Sequence, residues 1–195
     1  SQEDSSVSPS ALEYTGAFDL PMSSQIKARV KSGSTWSALA DTTFAVGPIA
    51  QYLRISEIMY HPEEPNTEFI ELTNIGTEPI NLNKVRFTKG VDFEFGNVLL
   101  QPGEYMVLVE NIAAFESFYN TGLFVGGQYE GSLDNAGERI RLRDAIGNDI
   151  LDFDYDDNWH ELTDGYGFSL TAVSPASTNA EDWDSKFSWR ASMYQ

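Results

Sequence analysis

Residues 138–156, ERIRLRDAIGNDILDFDYD, decide the fold. Two alternating segments, 138–144 and 149–155, flank Gly147-Asn148, a pair that accepts the positive φ of a tight hairpin turn. Folding about that turn sets Arg143 opposite Asp152, Arg141 opposite Asp154 and Arg139 opposite Asp156. Leu142 then faces Phe153, and Ile140 faces Tyr155. One face becomes a ladder of opposite charges and the other is apolar, the pattern of a half-buried antiparallel sheet. Three aspartates at every second residue, Asp152, Asp154 and Asp156, also invite a calcium reading, but the ladder gives each an arginine across the strand. Exposed ion pairs add little stability, so such a ladder sets register more than it stabilises.

The bulk composition narrows the function classes. A chain of 195 residues with 41% hydrophobic content has ample material for a packed core. Zero cysteines excludes disulfides, thiolate metal sites and cysteine nucleophiles, without fixing the compartment. Thirty acidic against twelve basic residues give a net charge of −18, which opposes attraction to phosphate backbones and anionic membranes. No nucleic-acid partner is expected. No apolar run approaches the roughly 18 residues of a membrane span, and no basic start precedes an apolar stretch. The opening SQEDSSVSPSA reads as mid-protein sequence, so the missing signal peptide is consistent with an expressed fragment.

Along the chain, residues 1–10 are polar and serine-rich and are expected to form a flexible arm. β-like segments follow at 14–20, 24–30 and 40–46, with a turn at Ser32-Gly33-Ser34 and a boundary at Gly47-Pro48. From residue 51 onward, strands are expected at 53–60, 68–74, 80–88, 98–100, 105–109, 139–143, 150–155 and 167–170. Only 111–119, NIAAFESFY, has helical periodicity, with Asn111 as N-cap and Ile112, Phe115 and Tyr119 on one face. Many short strands separated by turn residues imply a β-sandwich.

These residues resemble a known family. Ile55-Ser56-Glu57-Ile58-Met59-Tyr60 with Pro62, Glu68-Phe69-Ile70-Glu71-Leu72-Thr73-Asn74 and Leu100-Gln101-Pro102-Gly103-Glu104-Tyr105 are similar to the landmarks of bacterial lamin tail domains. Gly131-Ser132-Leu133-Asp134-Asn135-Ala136-Gly137-Glu138, Asp164-Gly165-Tyr166-Gly167-Phe168-Ser169-Leu170 and Trp189-Arg190-Ala191-Ser192 follow in the family's order. One departure stands at Leu82-Asn83-Lys84-Val85, where the family usually carries Leu-x-Gly-Trp, so Val85 fills a packing position with less volume. Residues 11–47, through Tyr14-Thr15-Gly16, Ile26-Lys27-Ala28-Arg29, Trp36-Ser37-Ala38-Leu39 and Thr43-Phe44-Ala45-Val46, resemble the trailing strands of the C-terminal module of chitobiase-type β-hexosaminidases.

The resemblance implies an all-β fold. It is an immunoglobulin-like β-sandwich with one short helix at 51–195, preceded by N-terminal β-strands from an incomplete second sandwich at 11–47. An incomplete sandwich leaves apolar surface and bare strand edges, which favours docking on the main domain or a homodimer through those strands. The resemblance further implies a non-catalytic interaction or structural module of a larger bacterial protein, secreted or at the cell surface. Its partners would be other modules of the parent protein or surface proteins.

The sequence offers little chemistry. His61, in MYHPEEPN, reads as an exposed turn residue, and His160, in DDNWHELTDG, has only carboxylates nearby. No Gly-x-Ser-x-Gly, His-Glu-x-x-His or phosphate loop occurs, so no catalytic residue is expected. Glu57, Glu68 and Glu71 offer carboxylate pairs, with solvent or Lys27, Arg54 or Arg86 as the ordinary partners. No cofactor is expected, but calcium remains open at Asp156, Asp157 and Asp164, where Asn158 adds an oxygen and EF-hand spacing is absent. Trp36, Trp159, Trp183 and Trp189 leave a glycan partner open against the packing role that the resemblance implies for Trp159 and Trp189. The alternative function is therefore a calcium- or carbohydrate-binding accessory domain of an extracellular hydrolase.

Overall fold

The alternation of apolar and polar residues resolves into two facing antiparallel-rich sheets. The structure, a computed structural model, describes residue 8 and residues 10–119 and 122–193. The arm expected over 1–10 lies, apart from Ser8 and Ser10, outside the described residues.

One sheet has the order β12 (Val125–Gln128), β11 (Tyr105–Val109), β6 (Phe69–Asn74), β5 (Leu53–Met59), β15 (Leu170–Ala172) and β16 (Trp189–Ala191). The other has the order β14 (Asp149–Asp154), β13 (Arg139–Arg143), β8 (Arg86–Lys89) and β9 (Phe93–Glu94). Ile55, Ile58, Ile70, Leu72, Leu108 and Leu170 from the first meet Phe87, Ile140, Leu142, Leu151 and Phe153 from the second in one core. In β5 strict alternation would put Ile55 and Ile58 on opposite faces. A bulge at Ser56 and Glu57, which together oppose Glu71, brings both isoleucines inward.

Most expected strands are present; the one expected at 167–170 lies instead at Leu170–Ala172, and two other segments differ. Among the described residues the segment at 14–20 belongs to no strand or sheet. The segment at 80–88 is two strands. β7 (Ile80–Asn81) pairs with β10 (Leu99–Leu100), and the chain then crosses to β8 through a turn in which Asn81 Oδ1 accepts the Asn83 N–H at 3.0 Å. Leu82 and Val85 point into the core from that turn and are fully buried. Strand β12 was not visible in its sequence Val-Gly-Gly-Gln. It closes one side of the sandwich, and a Cβ on Gly127 would stand 2.6 Å from the Phe93 ring, so close packing excludes any larger residue there.

Helix α1 (Ile49–Tyr52) is a single turn at the place read as a boundary, and it buries Ile49. Helix α2 (Ile112–Tyr119) is capped by Asn111, whose Oδ1 accepts the Ala114 N–H at 2.9 Å. It lays Phe115 and Tyr119 over Phe69, Met59, Val107 and Val109 on the outer face of the six-stranded sheet, forming a second small core. N-terminal to the sandwich, β1 (Ser24–Ala28) and β4 (Ala40–Phe44) form a two-stranded ribbon extended by the hairpin β2 (Lys31–Ser32) and β3 (Thr35–Trp36).

The 138–156 hairpin forms, but two residues out of the expected register. Arg139 opposes Asp154, Ile140 opposes Phe153, Arg141 opposes Asp152, Leu142 opposes Leu151 and Arg143 opposes Asp149. The cause is the turn. It begins at Asp144, whose Oδ1 accepts the Ile146 and Asn148 N–H groups at 3.0 and 2.9 Å, while Gly147 takes φ 91°. Asp144 and Asn148 therefore enclose a three-residue loop rather than a two-residue one. A bulge at Ile150 then lets consecutive Ile150 and Leu151 both be buried. Because the slip is an even number, residues 139–142 and 151–154 keep their faces, while the bulge turns Ile150 inward and Asp149 outward.

Arg139 clasps Asp152 through Nε and Nη2 at 2.6 and 2.7 Å, and Arg141 clasps Asp149 at 2.8 and 2.9 Å. Arg143 also reaches Asp149 at 2.8 Å. Asp154 and Asp156 thus leave the ladder and Asp149 enters it. Double-mutant cycles in chemical denaturation will show coupling for Arg141 with Asp149 and for Arg139 with Asp152. Arg141 with Asp154 and Arg139 with Asp156 will be additive.

Candidate functional site

At one end of the sandwich the loops 61–66 and 156–166 meet. Asp156 caps a single-turn helix, Asp157–Trp159, by accepting the Asn158 N–H at 2.8 Å and its Nδ2 at 3.0 Å. These bonds hold its carboxyl below the usual carboxylate range. Asp157 Oδ1 accepts Asn158 Nδ2 at 2.7 Å, and Asp164 Oδ1 lies 2.7 Å from His61 Nδ1. Asp156 and Asp157 thus share Asn158 while Asp164 meets His61, and among the described residues no group of three ligating side chains stands together. His61, expected to be an exposed turn residue, is a latch between loops 103 positions apart. Beside it, Tyr60 O–H donates to Thr163 Oγ1 at 2.9 Å, and Thr163 Oγ1 donates to the His160 carbonyl at 2.8 Å. The His160 Nε2 is buried with no hydrogen-bond partner among the described residues.

Glu57 and Glu71 face each other across β5 and β6 on the outer face of the sheet. The basic partners considered for them do not supply their bonds. Ser169 Oγ donates to Glu57, and Ser56 Oγ donates to Glu71 at 2.6 Å. Burial raises both carboxyls above their ordinary value. The serine bonds oppose the shift in each, Arg190 also opposes it for Glu57, and the neighbouring Glu57 charge adds to it for Glu71. Serine here meets carboxylate without an imidazole, so the arrangement lacks the nucleophile, base and orienting group of acyl-transfer sites.

Glu68, 8% exposed, stands just before β6. Its Oε2 accepts the Leu133 N–H at 2.7 Å and the Tyr129 hydroxyl at 3.2 Å, tying the loop between β12 and β13 to the sheet. Nearby, Tyr155 O–H donates to the Asp134 carbonyl at 2.7 Å, and Glu138 Oε1 accepts the Asp134 N–H at 2.8 Å. Burial pushes Glu68 from 4.5 up to about 7, and the charges of Glu110 and Glu138 add to the rise while its two hydrogen bonds oppose it.

Arg54, 2% exposed, has no carboxylate among its hydrogen-bond acceptors. It donates to the carbonyls of Ser177, Thr178, Ala50 and Leu53 at 2.8–3.1 Å and stacks on Trp183 at 5.7 Å. Burial lowers its pKa. Trp183 and Trp189, each 2% exposed, send their indole N–H groups to the Ile55 and Trp183 carbonyls. They pack the core and offer no ring to a sugar.

Carboxyls with raised pKa stabilise the folded state fully below their unfolded value, and that contribution is lost as pH rises through the folded value. Glu57, Glu68, Glu71, Glu110 and Glu138 are all raised, so stability will fall from about pH 4.5 towards pH 7. Denaturant melts across this window will show Glu68→Gln flattening the slope. Glu68→Ala will cost about 1–3 kcal/mol, because the Leu133 N–H and Tyr129 hydroxyl lose their acceptor.

A family model described as Lamin Tail Domain matches residues 49–157, more than half of the chain. Among curated proteins and among solved structures nothing matches. The matched span carries both sheets' central strands, the α2 cap and the Glu68 anchor, and the family is one of non-enzymatic immunoglobulin-like domains. On its matched residues and its sandwich of strands, the chain belongs to the lamin tail domain family.

Proposed function

We propose that this chain is a non-catalytic interaction or structural module of a larger bacterial protein that is secreted or held at the cell surface. It would engage other modules of the same protein or neighbouring surface proteins, with residues 11–47 serving as the closing strands of a preceding chitobiase-like module.

One observation carries the reading: the polar side chains that sequence singles out for chemistry hold the frame together. Glu68 holds the Leu133 loop, Glu57 and Glu71 hold serines, and His61 holds Asp164. A domain whose carboxylates are engaged in this way presents shape and charge to a partner rather than a reactive centre. The high negative charge keeps such a module soluble and discourages nonspecific adhesion to anionic surfaces.

Two measurements test the proposal. Melting in millimolar calcium and in chelator will give the same Tm, whereas a native-state site at a hundredfold excess over its Kd would add about 2.7 kcal/mol. On intact cells of the producing organism, added protease will cleave the full-length protein. Cleavage only after lysis would contradict a surface or secreted location.

A further inference from the structure

The four-stranded sheet carries an electrostatic cost that the fold does not require. In the register of β8 with β13, Arg141 stands opposite Lys89 and Arg143 opposite Arg86. Directly opposed side chains have Cβ atoms about 4.5–5.5 Å apart, and like charges at that separation destabilise a sheet. A register shift between Arg141 and Leu142 passes over Thr88 and brings Lys89 to the outer face beside Arg141. The next residue fixes the direction, because a Cβ on Gly90 would stand on the core side, 3.2 Å from Ile140 Cγ1. Lys84, Arg86, Lys89, Arg139, Arg141 and Arg143, half of the chain's 12 basic residues, lie on this sheet or on the turn that enters it.

The sheet's own carboxylates answer this charge from the flanks. Asp149 and Asp152 on β14 bind Arg139, Arg141 and Arg143 from one side. Glu94 on β9 reaches Lys84 at 3.7 Å and Arg86 at 4.0 Å from the other. Lys89 is exposed and has no ion-pair partner among the described residues. The seam between β8 and β13 is thus two opposed cation pairs in a row, with acid on either side and none between. A guanidinium has five N–H donors. Arg141 gives Nε and Nη2 to Asp149 and Arg143 gives Nε, so both keep donors for a further acceptor.

Three properties choose the occupant. The pairs repeat along β13 at two residues of strand rise, about 7 Å, which is also the spacing of alternate side chains in an extended polypeptide. Outward positions on β8 and β13 hold Arg, Lys and Thr and no aromatic ring, so the seam offers a sugar or a base nothing to stack on. A long polyanion also meets the chain's net −18, whereas a short segment with few carboxylates feels mainly the charges within a Debye length, about 8 Å. We propose that the β8–β13 seam docks an extended acidic segment of a partner protein, with carboxylates at every second residue. One carboxylate is received by Lys89 and Arg141 and the next by Arg86 and Arg143. The inference gives a partner chemistry to the interaction role and rests on that role. Failure to bind such a segment removes the seam alone, since the calcium melts and protease accessibility are read without it.

Fluorescence anisotropy at low salt will show this chain binding a labelled peptide of alternating Asp and Thr and releasing it as salt rises. A peptide of equal charge with Asp at every third residue will bind more weakly, and an Asn-for-Asp version will not bind. Lys89→Glu, which sets a carboxylate opposite Arg141, will weaken the alternating peptide about tenfold, because an exposed-pair attraction becomes a repulsion of similar size. The same variant will melt no lower than the parent, since an opposite-charge pair replaces a like-charge one. Lys31→Glu, an equal charge change on the N-terminal ribbon, will leave the affinity unchanged. No binding of the alternating peptide at millimolar concentration overturns the proposal, as does equal affinity for the two acidic peptides. An equal loss in Lys31→Glu also overturns it, by making the attraction one of overall charge. So does tighter, Lys89-dependent binding of a sulfated glycan or single-stranded DNA, or a Lys89-dependent doubling of mass in light scattering. Those results would give the seam to a polyanion or to a second copy.

Discussion

A buried carboxyl closes this sandwich. Two sheets with apolar inner faces will stack without help, but their ends are loops whose backbone donors must find acceptors. Glu68 supplies one just before β6. By accepting the Leu133 N–H and the Tyr129 hydroxyl, it draws the connection between the two sheets against the six-stranded sheet. Tyr155 and Glu138 complete the same corner through Asp134. Replacing the carboxyl by an apolar group would leave the Leu133 N–H and the Tyr129 hydroxyl without their acceptor. The site is paid for in desolvation, which appears as the rise of Glu68 to about 7.

The same logic recurs at the other polar positions. Arg54 spends its guanidinium on four carbonyls and so fixes the 177–178 segment and α1 to β5. Asn74, fully buried, gives Nδ2 to the Glu78 and Leu100 carbonyls and takes the Gly76 N–H on Oδ1. His61 and Asp164 latch two loops. Each group is one that, exposed and unpaired in a cleft, would suggest catalysis. Bonded as they are, they give the domain a defined shape, in a chain of net charge −18. That combination suits a module that acts by being recognised.

Sequence patterning carried the architecture further than the detail. Alternation places residues 139–143 and 151–154 on their observed faces, because faces depend only on parity, but the bulge turns Ile150 inward and Asp149 outward against it. Register depends on the turn, and there the Gly147-Asn148 pair misled. The usable signal was Asp144, three residues before Gly147, the spacing of a turn whose first residue accepts backbone N–H groups and whose last adopts a left-handed φ. The crossover at 82–85 was hidden because Leu82 and Val85 look like strand residues, while Asn81 and Asn83 make the turn. Strand β12 has no strand-forming run beyond Val125 and exists because β11 offers an edge. Neither the burial of Glu68 nor the pairing of His61 with Asp164 has a local signature, since both depend on contacts more than 60 positions apart.

Native-state hydrogen exchange at the Leu133 amide tests the central claim most directly, because that N–H is the donor that Glu68 holds. If the buried carboxyl closes the sandwich, this loop amide exchanges only through global opening, with an exchange free energy equal to that of the Ile70 and Leu108 amides in the central strands. Exchange at the rate of an open surface loop would contradict the account.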